Sequence, residues 1–178
     1  MKILVAQINP CVGDLDGNLR LIQQGILQAI SAECNVVVFS ELVTTGYPPR
    51  DLLYSPEFWK NHSKVIDKLD AFVRGQSQQI TVIVGGLHEE MLSGGRHAQY
   101  NAAWILDKHF GRRVVHKRLL PCYDVFDETR YFSSGADEPY SPIPIHLVRN
   151  RGNKEIGYDV LCDVLICEDI WNNGYRGG

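Results

Sequence analysis

Residues 35–41, NVVVFSE, decide how this chain is built. Three successive valines and a phenylalanine favour extended backbone, and a run without polar alternation suits a strand covered on both faces. The run stops on Ser40 and Glu41. Working outward, KILVAQI (2–8) predicts an earlier strand, ended by the turn residues of NPCVGDLDGN. From Asn18 to Glu33 the apolar residues Leu19, Ile22, Ile26, Leu27 and Ile30 recur three and four apart, the period of one buried helical face. On the other side, LVTTGYPPRDLLYS (42–55) is a long loop in which Gly46, Pro48 and Pro49 exclude regular structure. Ser55, Pro56 and Glu57 mark a helix start, with a capping hydroxyl, proline in the first turn and an acid beside it, and the helix should run to about Arg74.

ITVIVGG (80–86) predicts a third buried strand, with HEE at 88–90 as its polar end and SGG at 93–95 as a turn. YNAAWIL (100–106) and RRVVHKR (112–118) flank DKHFG and predict a hairpin; the basic cluster from Arg112 to Arg118 reads as a solvated strand edge. PIHLVR (144–149) and DVLIC (163–167) predict two more strands across a polar turn at NRGNKE. Strands alternating with helices, then hairpins, give an α/β class with a mixed sheet.

The chain has 178 residues, of which 44% are hydrophobic and 22% charged, enough for one globular domain with a substantial core. A net charge of −3 leaves no basic footprint for nucleic acid. No segment is apolar for long enough to span a bilayer, and the amino terminus turns polar too soon for a signal peptide, which predicts a soluble cytoplasmic protein. Five cysteines without a CxxC pair suit neither a disulfide framework nor structural zinc, and predict reduced thiols. HEE would need further ligands from unmarked positions, so no metal is expected there. A cofactor-binding doubly wound domain lacks its GxGxxG after the first strand.

Three runs end in reactive side chains: VVVFS before Glu41, RVVH before Lys117 and DVLI before Cys167. In open α/β sheets the carboxyl ends of strands converge on one crevice. A thiol needs a base or a cation to become a thiolate; Glu41 can be the base and Lys117 the cation. Lys117, with the backbone N–H after Cys167, can then stabilise the oxyanion formed when sulfur attacks an amide. Taken singly, each residue has an ordinary reading: Glu41 as a loop carboxylate or helix cap, Lys117 as a solvated strand-edge charge, Cys167 as core. Cys162 and Cys122 compete for the nucleophile's role.

At these residues the sequence resembles the nitrilase superfamily of carbon-nitrogen hydrolases, and within it the amino-terminal glutaminase domains of glutamine-dependent NAD synthetases. KILVAQINPCVGDLDGN, FSELVTTGYPPRDLL, HKRLLPCYDVFDETRYF and LICEDIW carry the resemblance in order across the whole chain, 1–178. It implies an α-β-β-α sandwich with Glu41 as general base, Lys117 as transition-state cation and Cys167 as nucleophile. It further implies Glu128 positioning the lysine and substrate, with Tyr123 and Glu168 as substrate contacts and Tyr47 as a weaker candidate.

The implied reaction is hydrolysis of glutamine to glutamate and ammonia through a cysteine thioester. The ammonia would feed a carboxyl-terminal synthetase domain that uses ATP and magnesium; no cofactor is implied for these residues themselves. A homo-oligomer is expected. A free-standing amidase or carbamoylase is the alternative within the superfamily, and a catalytically silent interaction domain the alternative outside it. The family's domain continues past its nucleophile, whereas this sequence ends at NNGYRGG; an incomplete sandwich, with uncovered apolar sheet surface that promotes association, is the expectation.

Overall fold

The computed structural model describes residues 1–139, 141–151 and 154–171. Strand β1 (Ile3–Ala6) leads through helix α1 (Leu15–Ser31) to β2 (Val36–Phe39), and helix α2 (Pro56–Arg74) leads to β3 (Thr81–Met91). Strands β4 (His97–Asp107) and β5 (Gly111–His116) follow as a hairpin, then β6 (Ile143–Arg151) and β7 (Lys154–Cys162) as another. The first five strands form one sheet in the order β1-β2-β3-β4-β5, parallel as far as β3 and antiparallel beyond it. β6 and β7 form a separate antiparallel pair.

Both helices begin where their caps dictate. Asp14 accepts the Gly17 N–H at 2.8 Å, starting α1 three residues before the predicted Asn18, and Ser55 accepts the Phe58 N–H at 3.3 Å. α1 turns Leu19, Ile22, Ile26 and Ala29 inward, and α2 turns Val65, Ile66, Leu69 and Val73. Together they bury Val37, Phe39, Val82, Val84, Trp104 and Leu106 on one face of the sheet. Leu27, predicted on the buried stripe, is 48% exposed, because it lies about 100° around the helix from Ile26.

On the opposite face Val36, Val38 and Ile83 meet Ile145, Leu147, Val160 and Cys162 of the second sheet. Helices, sheet and sheet therefore stack as three layers of the expected mixed α/β sandwich. A second helical layer is not among the described residues. Among them, too, no helix is long and apolar enough to cross a membrane. Val5 and Leu161 are each 72% exposed.

Three expectations need correction. The partner of β6 is Lys154–Cys162, not DVLIC: residues 163–166 pair with no described strand, so Cys167 opens a short 3-10 turn, Cys167–Trp171, instead of ending a ladder. Two residues of the predicted NRGNKE turn lie outside the described residues. The loop after Glu41 is not wholly irregular; Arg50–Tyr54 form a 3-10 turn. The basic run at 112–118 does lie at a sheet edge, but His116 and Lys117 are buried, because loop 133–138 folds back over the end of β5. Its anchors are hydrogen bonds from Gly135 N–H to Lys117 O and from Ser134 Oγ to Arg118 O.

Candidate active site

Glu41 leaves β2 in a turn that crosses directly beneath β3. Gly85 permits the crossing: a Cβ there would lie 2.4 Å from the Leu42 nitrogen and 2.5 Å from the Ser40 oxygen. The backbone turns sharply at Leu42, whose φ is +48° while its side chain is fully buried. Thr44 then donates its N–H to Gly85 O at 3.2 Å, so the Glu41 segment is fixed to the centre of the sheet.

Lys117 follows the last residue of β5 and extends the ladder by one bond, its N–H to Asn101 O at 2.9 Å. Its side chain has no exposure to solvent. Nζ donates to Glu41 Oε1 at 2.7 Å and to Glu128 Oε1 at 2.8 Å, and lies 2.7 Å from Glu128 Oε2 as an ion pair. Glu128 comes from a 3-10 turn, Glu128–Arg130, held by its own N–H on Pro121 O.

The lysine amine thus sits between two carboxylates. Burial works against its charge, but Glu41 and Glu128 outweigh it and hold the ammonium above the ordinary lysine value. Glu128 is pushed up, chiefly by burial and further by Glu41, against the downward pull of Lys117. One ammonium cannot fully compensate two acids in a dry site, and the more buried acid is driven toward its neutral form.

Cys167 reaches this group from the other direction. Its φ is +49°, in the left-handed region that side chains rarely occupy, and its thiol lies in the field of Glu41, Lys117 and Glu128. Burial, and then the charge of Glu41, raise the thiol above its usual value, while Lys117 pulls it down. Tyr47, 40% exposed, stands in the same field; its phenol is pushed up to about 12 by burial, Glu128 and Glu41. A cavity of about 270 Å³ is lined in part by Tyr47, Glu128 and Phe132.

The three residues read from strand ends therefore meet, with Glu128 and Tyr47 beside them. Tyr123 and Glu168 occupy the exposed rim, joined by a 2.7 Å bond from the phenol to Glu168 Oε2, which with burial raises the phenol. Cys162 packs between the two sheets, and Cys122 is exposed in a loop.

Two residues escaped the sequence reading. Asn101 of β4, fully buried, donates to Glu41 Oε1 at 2.7 Å. Its signal was one amide within the otherwise apolar run AAWIL that follows it. Asp169 is 3% exposed and accepts the N–H groups of Arg118, Leu119 and Ile166. An acid two residues beyond a candidate nucleophile was the only hint.

A group of metal-ligand side chains lies elsewhere. His109, His146 and Asp159 place ligand atoms within 4.8 Å of one another. The imidazoles stack at 4.0 Å and 13°, however, so their in-plane lone pairs run side by side and do not converge on an ion.

Comparison with known proteins identifies the family and the fold. The sequence profile of the carbon-nitrogen hydrolases matches residues 2–175. A glutamine-dependent NAD(+) synthetase of Synechocystis sp. is 32% identical over 173 residues, covering 96% of this chain and 28% of that protein. One from Thermotoga maritima is 33% identical, covering 97% and 26%. The chain therefore spans little more than a quarter of these relatives. The structure of the Acinetobacter baumannii glutamine-dependent NAD+ synthetase in complex with ADP superposes with a TM-score of 0.67 at 32% identity, over 96% of this chain and 28% of that one. An amidase from Nesterenkonia sp., 19% identical, shares the fold with a TM-score of 0.60 over 88% of this chain and 54% of its own. With a profile match from one end to nearly the other, the chain belongs to the carbon-nitrogen hydrolase family.

Proposed function

We propose that residues 1–178 are part of a glutamine amidohydrolase domain that supplies ammonia to a glutamine-dependent NAD synthetase. The observation that carries this reading is the Lys117 ammonium held between Glu41 and Glu128, with the Cys167 thiol in the field of all three. A thiol held above its ordinary value is a poor nucleophile until a base takes its proton, and Glu41 is the carboxylate whose charge acts on it most.

In the proposed sequence, Glu41 accepts the Cys167 proton as sulfur attacks the side-chain amide carbon of glutamine. The developing oxyanion is stabilised by Lys117 and the Glu168 backbone N–H. Glu41 returns the proton to the leaving nitrogen, ammonia departs, and a thioester remains. Glu41, again a carboxylate, activates water to release glutamate and restore the thiol. Glu128 holds Lys117 in place, and Tyr123 and Glu168 contact the substrate at the rim. The ammonia passes to a synthetase domain outside these residues, where ATP and magnesium act, in a homo-oligomeric enzyme. The relatives' names support glutamine as the substrate.

The test is glutamine hydrolysis by the full-length gene product, together with peptide mapping after treatment with an electrophilic glutamine analogue. Cys167 should carry the label, free glutamine should protect it, and Cys167→Ala should abolish both label and turnover. Hydrolysis that persists in Cys167→Ala rejects the assignment. A free-standing amidase would instead prefer short aliphatic amides to glutamine.

A further inference from the structure

The Cys167 turn poses a mechanical problem. Residues 163–166 pair with no described strand, so no ladder fixes the sulfur, yet the thiol must stay within reach of Glu41 and Lys117. Lys117 itself cannot move far, because its ammonium is locked between two carboxylates at 2.7–2.8 Å.

The connection between the two is Asp169. Its Oδ1 accepts the Arg118 N–H at 3.1 Å and the Leu119 N–H at 2.8 Å, the two peptide groups directly after Lys117. Its Oδ2 accepts the N–H of Ile166, the residue directly before Cys167, at 3.1 Å, and its own N–H donates to Ile166 O at 3.1 Å. One carboxylate therefore ties the chain leaving the lysine to the chain entering the cysteine. The side chain is shielded from water, where hydrogen bonds to a charged acceptor are strong and directional. Tyr123 and Glu168 make a second tether, but it lies on the exposed rim.

We infer that Asp169 is a positioning residue: its carboxylate sets the separation between the Cys167 sulfur and the Lys117 ammonium and stabilises the left-handed backbone at Cys167. It touches neither the thiol nor the amine. Its role in turnover rests on the glutaminase reading, while its effect on the thiol's surroundings does not.

The test uses Asp169→Asn in the full-length gene product. Asparagine keeps the shape and can still accept from Arg118 and Leu119, but it turns an NH2 group against the Ile166 N–H, donor against donor. Three quantities are read: kcat and KM for glutamine, and the pH midpoint of Cys167 alkylation by iodoacetamide, followed by peptide mapping to separate it from Cys11 and Cys122. The expected result is a ten- to hundredfold fall in kcat, a change in KM of less than threefold, and an alkylation midpoint displaced by at least half a pH unit. A midpoint within 0.2 of the wild type overturns the proposal, because the thiol's charged neighbours have then not moved.

Should Asp169→Asn not fold, Asp169→Glu decides. It keeps the charge and lengthens the clamp by one methylene, so the midpoint must again move. A wild type that alkylates at Cys167 but does not hydrolyse glutamine defeats the glutaminase reading alone, and the midpoint comparison still decides the role of Asp169.

Discussion

Asn101 and Lys117 share one oxygen of Glu41: the amide and the ammonium each donate to Oε1 at 2.7 Å. The two donors are neighbours in the ladder as well, since the Lys117 N–H bonds Asn101 O. The carboxylate is thereby aimed by two strands at once, and its second oxygen is left free of both.

Removing the amide should loosen this aim. Asn101→Ala deletes a hydrogen bond to a charged group, worth about 1.5–3 kcal/mol. If the loss falls in the transition state, kcat for glutamine drops about ten- to hundredfold. Steady-state kinetics beside an unchanged circular dichroism spectrum checks it; unaltered kcat means that Lys117 alone orients Glu41.

Glu41→Gln should separate thiol reactivity from catalysis. The Glu41 charge raises the Cys167 thiol, so its neutral isostere leaves more thiolate near neutral pH. Alkylation of Cys167 by iodoacetamide at pH 8 should therefore be faster than in the wild type. Glutamine hydrolysis should fall by about 10²–10⁴-fold, the usual contribution of a general base. Slower alkylation in the variant would contradict the assigned electrostatics.

Lys117→Met strands two acids in a buried pocket. Removing one partner of a buried ion pair costs about 3–5 kcal/mol. The deficit should be largest at pH 8 and shrink toward pH 5, because Glu128 is already pushed up and takes a proton readily. In the wild type the raised lysine favours folding below its ordinary value of 10.5, and that contribution is lost as pH climbs through the raised value. Urea unfolding of both proteins at pH 5, 8 and 10.5 reads these differences.

His62 should control acid stability independently of the active site. It is buried and held at about 3, chiefly by burial and then by His88, and its Nε2 accepts the Leu87 N–H at 3.2 Å. The unfolded ring takes a proton near 6.5, whereas the folded ring resists until about 3. Stability contributed by the neutral ring is complete above 6.5 and decays as pH falls toward 3, by about 1.4 kcal/mol per unit. His62→Gln, which keeps an acceptor for Leu87 but does not titrate, should flatten that limb in urea unfolding between pH 6.5 and 4. An equally steep limb would assign the acid sensitivity to other groups.

Elements whose signals are local were legible in residue order alone. Three- and four-residue spacing, the Ser55-Pro56 cap and the valine runs gave α1, α2, β2 and the start of β3 because helix and strand periodicities depend on near neighbours. Residue order also marked Glu41, Lys117 and Cys167 as chemically odd endings to apolar runs. DVLIC was misread for a related reason: an apolar run of that length is strand-like, but a strand exists only where a neighbour completes its ladder, and β7 had already formed just before it. Contacts between distant segments emerge only when the chain is folded. Folding brought Glu41 to Lys117 across 76 residues, put Asn101 on the same oxygen and clamped the Cys167 turn through Asp169 across about 50. Hydrogen bonds and charge compensation act through space, and residue spacing along the chain carries no measure of that distance.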